Sequence, residues 1–118
     1  MKGTHLGEFE ELVLLTVGIC YDDAYGLGIT DEIERRTGRS VTISSVHKAL
    51  MRLEQKGFLH SQMGGATKER GGRKKRLFTI TNSGKEALRD AREMRNALWR
   101  AIPKVVKLSE SGFSGLGD

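Results

Sequence analysis

One segment of the chain holds a dense cluster of basic side chains. Residues 68–76 read KERGGRKKR, and the excess of cations over anions there equals the formal net charge of the whole chain, +5. Ammonium and guanidinium groups at this density bind polyanions, and the Gly71-Gly72 pair lets the backbone approach such a ligand closely. The segment therefore predicts a surface for a phosphate-rich partner. Its basic residues are Lys68, Arg70, Arg73, Lys74, Lys75 and Arg76.

Other kinds of chemistry lack the side chains that they need. The three histidines, His5, His47 and His60, do not have the spacing of metal ligands. The lone Cys20 can form neither an internal disulfide nor a cysteine-rich metal site. Acidic residues cluster at positions 8, 10 and 11, but they begin a predicted helix, where negative charge suits the helix dipole. We therefore expect no metal, no cofactor and no enzymatic activity.

The bulk composition is that of a soluble globular protein. The chain has 118 residues, of which 37% are hydrophobic and 30% charged. The apolar stretch Leu12–Cys20 is far shorter than the ~20 residues that span a bilayer, and the N-terminus does not resemble a signal peptide. We expect a cytoplasmic protein with no membrane partner.

Hydrophobic periodicity predicts four helices and a β-hairpin. The helices are expected over residues 7–20, 25–37, 43–56 and from 81 or 83 to about 102, and the strands over 58–63 and 76–81. Thr42 is the expected N-cap of the third helix, and Ser83 with Glu86 matches a capping box for the fourth. The residues expected to face inward are Phe9, Leu12, Val13, Leu15, Thr16, Ile19, Leu27, Ile29, Ile33, Val46, Ala49, Leu50 and Leu53.

This order of elements predicts a mainly α fold with a small β-hairpin, which is a winged helix-turn-helix over residues 1–81. Residues 82–108 would form a C-terminal dimerisation helix, and the Gly/Ser-rich residues 109–118 a flexible tail. In such a fold the third helix enters the major groove of DNA, and the hairpin tip reaches flanking phosphates or the minor groove.

Three stretches of the sequence resemble the PadR family of bacterial transcription regulators. They are GLGITDEI at 26–33, SSVHKALMRLEQKGFL at 44–59 and GGRKKRLFTIT at 71–81, the last followed by Gly84. The family usually has tyrosine where His47 stands. The resemblance implies a homodimeric repressor whose last helix contributes to the dimer interface.

Residues on the third helix and on the hairpin are the expected contacts with DNA. Hydroxyls and cations near a helix N-terminus can contact phosphates or base edges, although Thr42 and Ser44 could serve only as caps. His47 could contact DNA or fill a packing position, and Arg76 could pair with an acidic neighbour instead of DNA. The wing residues are the six basic residues named above. The recognition-helix residues are Thr42, Ser44, Ser45, His47, Lys48 and Arg52.

The last helix carries an apolar seam. Small and apolar residues recur along it at spacings of four and three, which suits a partner helix, and the rest of the chain is too small to cover a helix of this length. We expect a homodimer in which the first helix takes part. Trp99 could stack on a planar small-molecule effector or simply pack in the interface. The expected interface residues are Phe9, Leu12, Ala87, Ala91, Met94, Leu98, Trp99 and Ile102.

Together these features predict a sequence-specific regulator that binds double-stranded DNA, acting as a homodimeric repressor on a pseudo-palindromic operator. Two alternatives stay open at this point. A non-specific nucleic-acid binder would bind scrambled DNA equally well, and a winged-helix protein-interaction module would bind no duplex at all.

Overall fold

The computed structural model describes residues 5–64 and 74–107. The chain forms helices α1 (Glu8–Ile19), α2 (Gly26–Thr37) and α3 (Ile43–Gln55), strands β1 (Leu59–Met63) and β2 (Arg76–Ile80), and helix α4 (Asn82–Ala101). The predicted mainly helical fold with an antiparallel hairpin is confirmed. None of the helices in these two ranges has the length and apolarity needed to cross a membrane. The predicted tail and the wing residues Lys68, Arg70 and Arg73 lie outside the described residues.

The core lies between the first three helices and is closed on one side by the hairpin. Phe58, Leu59 and Phe78 bring the hairpin into the same buried cluster as the helices. The largest fully buried side chains all come from α1, α2 and α3. They are Leu14, Ile29, Ile33, Leu50, Leu53, Val13, Val17 and Val46.

Three residues expected to face inward do not. Leu15 is 47% exposed, Ile19 48% and Leu27 53%. In α1, Leu14 and Val17 are buried instead. Apolar residues run almost all the way round this helix, so its periodicity alone does not decide which face meets α2 and α3.

Local chemistry sets the ends of α3. The Thr42 hydroxyl oxygen accepts a hydrogen bond from the Ser45 backbone N–H at 3.0 Å, which makes Thr42 the N-cap as predicted. After the helix, Gly57 has φ +83°, a left-handed conformation that glycine adopts without steric cost. The chain therefore leaves α3 in a sharp turn and enters β1.

The N-cap of α4 is Thr81, so the predicted capping box of Ser83 with Glu86 is wrong. The Thr81 hydroxyl accepts from the Gly84 N–H at 3.1 Å and donates to the Gly57 carbonyl at 2.6 Å. Because this hydroxyl reaches the turn after α3 as well as its own helix, it is the better cap. Gly84 is buried, and a Cβ atom there would overlap the Phe58 carbonyl oxygen. The first turn of α4 is thus packed directly against the backbone at the base of the hairpin.

Three carboxylates in the first turn of α1 each bind a cation from a different part of the chain. Arg39, between α2 and α3, makes a bidentate pair with Glu8. Lys56, just after α3, binds Glu10 at 2.7 Å. Arg95 in α4 binds Glu11.

The first two pairs lower the pKa of their carboxyl groups. The hydrogen bonds from Arg39 lower the pKa of Glu8. Partial burial raises the pKa of Glu10, but hydrogen bonds from Lys56 and the Gly7 N–H outweigh it, so the pKa of Glu10 is lowered overall. Both groups are therefore ionised at neutral pH, and the pairs hold the helices together as charged contacts.

Candidate nucleic-acid interface

One face of α3 is exposed along its whole length. Ser44, Lys48, Met51 and Gln55 are spaced by four, three and four residues, so they lie above one another on the helix, and all four are exposed. We refer to these four as the outer row. The opposite face is buried in the core, through Val46, Ala49, Leu50 and Leu53. The core therefore fixes α3 with its outer row directed away from the molecule.

The predicted residues of the recognition helix divide into two groups. Thr42 and Ser45 are engaged with each other, because the Ser45 hydroxyl also donates to the Thr42 carbonyl at 2.8 Å. The other four side chains are exposed and make no hydrogen bond with the described residues. Of these, Arg52 lies on the flank nearer to Glu10, whose pKa its charge helps to lower. These four residues, which have no hydrogen-bond partner among the described residues, are Ser44, His47, Lys48 and Arg52.

His47 lies beside the first turn of α2. Its Cε1 atom is 3.9 Å from the position that a Cβ atom would take on Gly26. The imidazole is nevertheless exposed, so it both adjoins α2 and remains open to a ligand. Its two predicted roles, contact with DNA and packing, are compatible in this position.

The base of the wing, which consists of the described wing residues Lys74, Lys75 and Arg76, is attached to the turn before α2. The Lys75 ammonium binds the Asp23 carboxylate at 2.5 Å and lies 4.0 Å from the centre of the Tyr25 ring. The Phe78 N–H donates to the Ala24 carbonyl at 2.8 Å. Since Asp23 and Tyr25 already engage Lys75, this cation is partly neutralised within the chain, whereas the neighbouring Lys74 is exposed.

A second set of hydrogen bonds joins the wing to α3. The Ser61 hydroxyl in β1 donates to the Glu54 carboxylate at 2.8 Å and accepts from the Arg76 guanidinium at 3.0 Å. Arg76 therefore has a hydroxyl rather than an acidic side chain as its partner among the described residues. Through this relay and the Lys75 contacts, the wing base is joined both to the turn before α2 and to Glu54 near the end of α3.

The predicted dimer interface also divides into two groups. Phe9, Leu12 and Ala87 are partly buried against the chain's own core. Farther along α4 the apolar side chains are open to solvent, and Gly84 is the only buried residue of this helix. The exposed fractions are 57% for Met94, 63% for Leu98 and 45% for Trp99.

The remaining predicted interface residues have intermediate exposure. Ala91 and Ile102 are half-buried. The Lys107 ammonium lies 5.2 Å from the centre of the Trp99 ring, so one face of this indole is already covered by a cation.

Some features of the surface were not predicted. Met51 and Gln55 belong to the outer row, and their spacing from Ser44 was a signal for this. Asp23 and Tyr25 hold the wing base, but they lie about fifty residues from Lys75, so local pattern could not reveal the contact. Within residues 5–64 and 74–107, no group of three or more His, Cys, Asp or Glu side chains could hold a metal ion.

Solved structures share this fold. The chain is similar to a PadR family transcriptional regulator from Eggerthella lenta, with 20% identity, a TM-score of 0.65, and coverage of 86% of this chain and 88% of that one. It is also similar to a PadR-like transcriptional regulator from Bacillus cereus, with 15% identity, a TM-score of 0.67, and coverage of 86% of this chain and 93% of that one. A third similar structure is the complex structure of hsRosR-SG, with 24% identity, a TM-score of 0.65, and coverage of 86% of this chain and 83% of that one.

A search of curated proteins finds no match to this chain. The family models do give one, for the transcriptional regulator PadR-like family, over residues 14–90. The match covers well over half of the chain and includes α2, α3, the hairpin and the start of α4. The protein belongs to the PadR-like family of transcriptional regulators.

Proposed function

We propose that this protein is a homodimeric repressor that binds a pseudo-palindromic operator in double-stranded DNA. Each subunit places α3 in a major groove and rests its wing on the neighbouring phosphates. Binding occludes a promoter, which represses transcription. The observation that supports this proposal is that α3 exposes its outer row while the wing base is attached both to α3 and to the turn before α2.

The charge of this surface suits DNA. Lys48 and Arg52 on α3 and Lys74 at the wing base are exposed, and cations of this kind release condensed counterions when they neutralise phosphates. The outer row adds a hydroxyl and an amide, which can hydrogen-bond to base edges in the major groove. Phosphate contacts position the protein, whereas base contacts determine which sequence it prefers.

The exposed apolar side chains of α4 support the dimer. Met94 and Leu98 are more than half exposed and Trp99 nearly half, so much of their apolar surface is not used in the fold of one subunit. Packing against the same face of a second subunit would remove them from water, and a two-fold axis between the subunits matches a pseudo-palindromic site.

Selection of binding sites from random duplexes with the purified protein tests this function. We expect recovered sites with two inverted half-sites whose centres lie about 10 base pairs apart or a multiple of that. Ser44→Ala and Lys48→Ala should reduce affinity for the selected operator more than for scrambled DNA. Equal affinity for operator and scrambled DNA would indicate a non-specific binder, and no binding to any duplex at low salt would indicate a protein-interaction module.

A further inference from the structure

We propose that Met51 recognises the 5-methyl group of a thymine in each operator half-site. This inference rests on the proposed function, because it names the feature of the bases that the outer row reads. Met51 is the third residue of that row, between Lys48 and Gln55, and it is 49% exposed. It is the one apolar side chain among the four.

The position of Met51 gives it no part in the core. The buried face of α3 is complete without it, since Val46, Ala49, Leu50 and Leu53 are each at most 1% exposed. Isolated apolar residues are common on protein surfaces. Met51, however, lies in the middle of the row that faces outward, with cationic and polar side chains on either side.

The chemistry of the major groove determines what Met51 can contact there. Base pairs present nitrogen and oxygen atoms that form hydrogen bonds, and thymine alone adds an apolar group, its 5-methyl. A thioether has no N–H or O–H to donate and is a weak acceptor. Over a polar base edge Met51 would therefore leave hydrogen-bonding groups unsatisfied, whereas over a thymine methyl it removes apolar surface from water.

The neighbours of Met51 favour DNA over a protein partner as its occupant. Lys48, one turn before it, and Arg52, next to it, are exposed cations, which would be unfavourable against an apolar protein surface but pair with phosphates. The flexible side chain of methionine can adapt to the methyl group without a fixed rotamer.

Substitution of single thymines by deoxyuridine in the selected operator tests the proposal. Deoxyuridine lacks the methyl group and keeps every hydrogen-bonding group of thymine. At one thymine in each half-site we expect wild-type affinity to fall roughly three- to fivefold, as for the loss of one buried methylene. Met51→Ala should bind the thymine operator more weakly and show no further loss with deoxyuridine at that position. Met51→Leu should retain the sensitivity.

Three results overturn the inference. In the first, there is no thymine at which Met51→Ala abolishes the effect of deoxyuridine, and the two losses of affinity multiply at every position. In the second, the selected half-sites contain no thymine. In the third, Met51→Ala changes the oligomeric state in sedimentation, which would mean that a second copy of the chain covers this face.

The control variant is Val106→Ala, which truncates an exposed apolar residue beyond α4 and should leave the deoxyuridine effect unchanged. Failure of the proposed function is separately visible, because the wild-type protein would then select no operator.

Discussion

The backbone N–H of Phe78 donates a 2.8 Å hydrogen bond to the carbonyl oxygen of Ala24, which ties strand β2 to the turn before α2. The Lys75 contacts with Asp23 and Tyr25 lie next to this bond. The wing base is thus held by main-chain and side-chain contacts to the segment that also begins α2. Wing and helix-turn-helix should therefore move as one body when they meet DNA.

The two neighbouring lysines at the wing base should act differently. Lys74→Ala should reduce the slope of log affinity against log salt by about 0.9, as expected for one lost phosphate contact. Lys75→Ala should leave the slope nearly unchanged, because Asp23 and Tyr25 engage its ammonium group, and should lower affinity by loosening the wing. Affinity titrations on operator DNA at several salt concentrations measure both. A slope change for Lys75→Ala as large as that for Lys74→Ala would mean that Lys75 leaves Asp23 to contact phosphate.

Two hydroxyl side chains at the start of α3, Thr42 and Ser44, should have different effects, one on folding stability and the other on DNA binding. Thr42→Ala removes the N-cap and should lower the free energy of unfolding by about 1 kcal/mol, while Thr42→Ser should keep most of it. Ser44→Ala should leave stability unchanged and weaken operator binding, because its side chain is exposed in the outer row. Denaturant melts and operator titrations of the three variants make the comparison. A stability loss in Ser44→Ala equal to that of Thr42→Ala would argue against this division.

Gly84→Ala should destabilise the protein. The added methyl overlaps the Phe58 carbonyl oxygen and crowds Ile80, and because backbone cannot move aside cheaply, overpacking of this kind costs about 1–3 kcal/mol. Ser83→Ala is the matched control, since that residue is exposed one position earlier in the same turn. Thermal melts should show a lower Tm for Gly84→Ala alone. Equal melting temperatures for the two variants would show that α4 is not packed this closely.

Stability should fall in acid partly through Glu10. Its pKa is lowered in the folded protein, so the folded state binds this proton more weakly than the unfolded state does. The stabilisation is therefore complete above the ordinary value of 4.5 and is lost as pH falls below it. Glu10→Gln should be less stable than wild type at pH 7 and should lose less stability between pH 5 and pH 3, a range spanning this titration. Glu93→Gln, on an exposed part of α4, is the control, and parallel pH profiles for wild type and Glu10→Gln would contradict the assignment.

The apolar face of α4 should be required for dimerisation but not for folding. Met94→Ala combined with Leu98→Ala should shift the protein towards monomer in sedimentation and weaken operator binding, with little change in the circular dichroism spectrum. The paired control is Glu93→Ala with Arg100→Ala, which keeps the net charge and changes exposed residues on other faces of the same helix. A double variant that stays dimeric would place the interface elsewhere.

Sequence patterns were sufficient where local chemistry decides the structure. The start of α3 at Ile43 followed from the Thr42 hydroxyl, and the end of that helix followed from Gly57. Patterns were insufficient where distant segments compete. The choice of Thr81 over Ser83 as a cap depends on a bond to the Gly57 carbonyl, which no local spacing encodes.

The candidate site followed the same division. The exposed positions of Ser44 and Lys48 were predictable from the helical repeat that buries Val46 and Leu50. The engagement of Lys75 by Asp23 was not, because a run of basic residues does not indicate which of them has an internal partner.

The three carboxylates at the start of α1 connect α4 to the segments on either side of α3. Arg95 of α4 is fastened to Glu11, while Glu8 and Glu10 hold the cations that precede and follow α3. A tilt of α4 would act on the first turn of α1 through Arg95, and the same turn is bound to the segments that flank α3. In the proposed dimer, we therefore expect the separation of the two α3 helices to depend on the angle at which the two α4 helices cross.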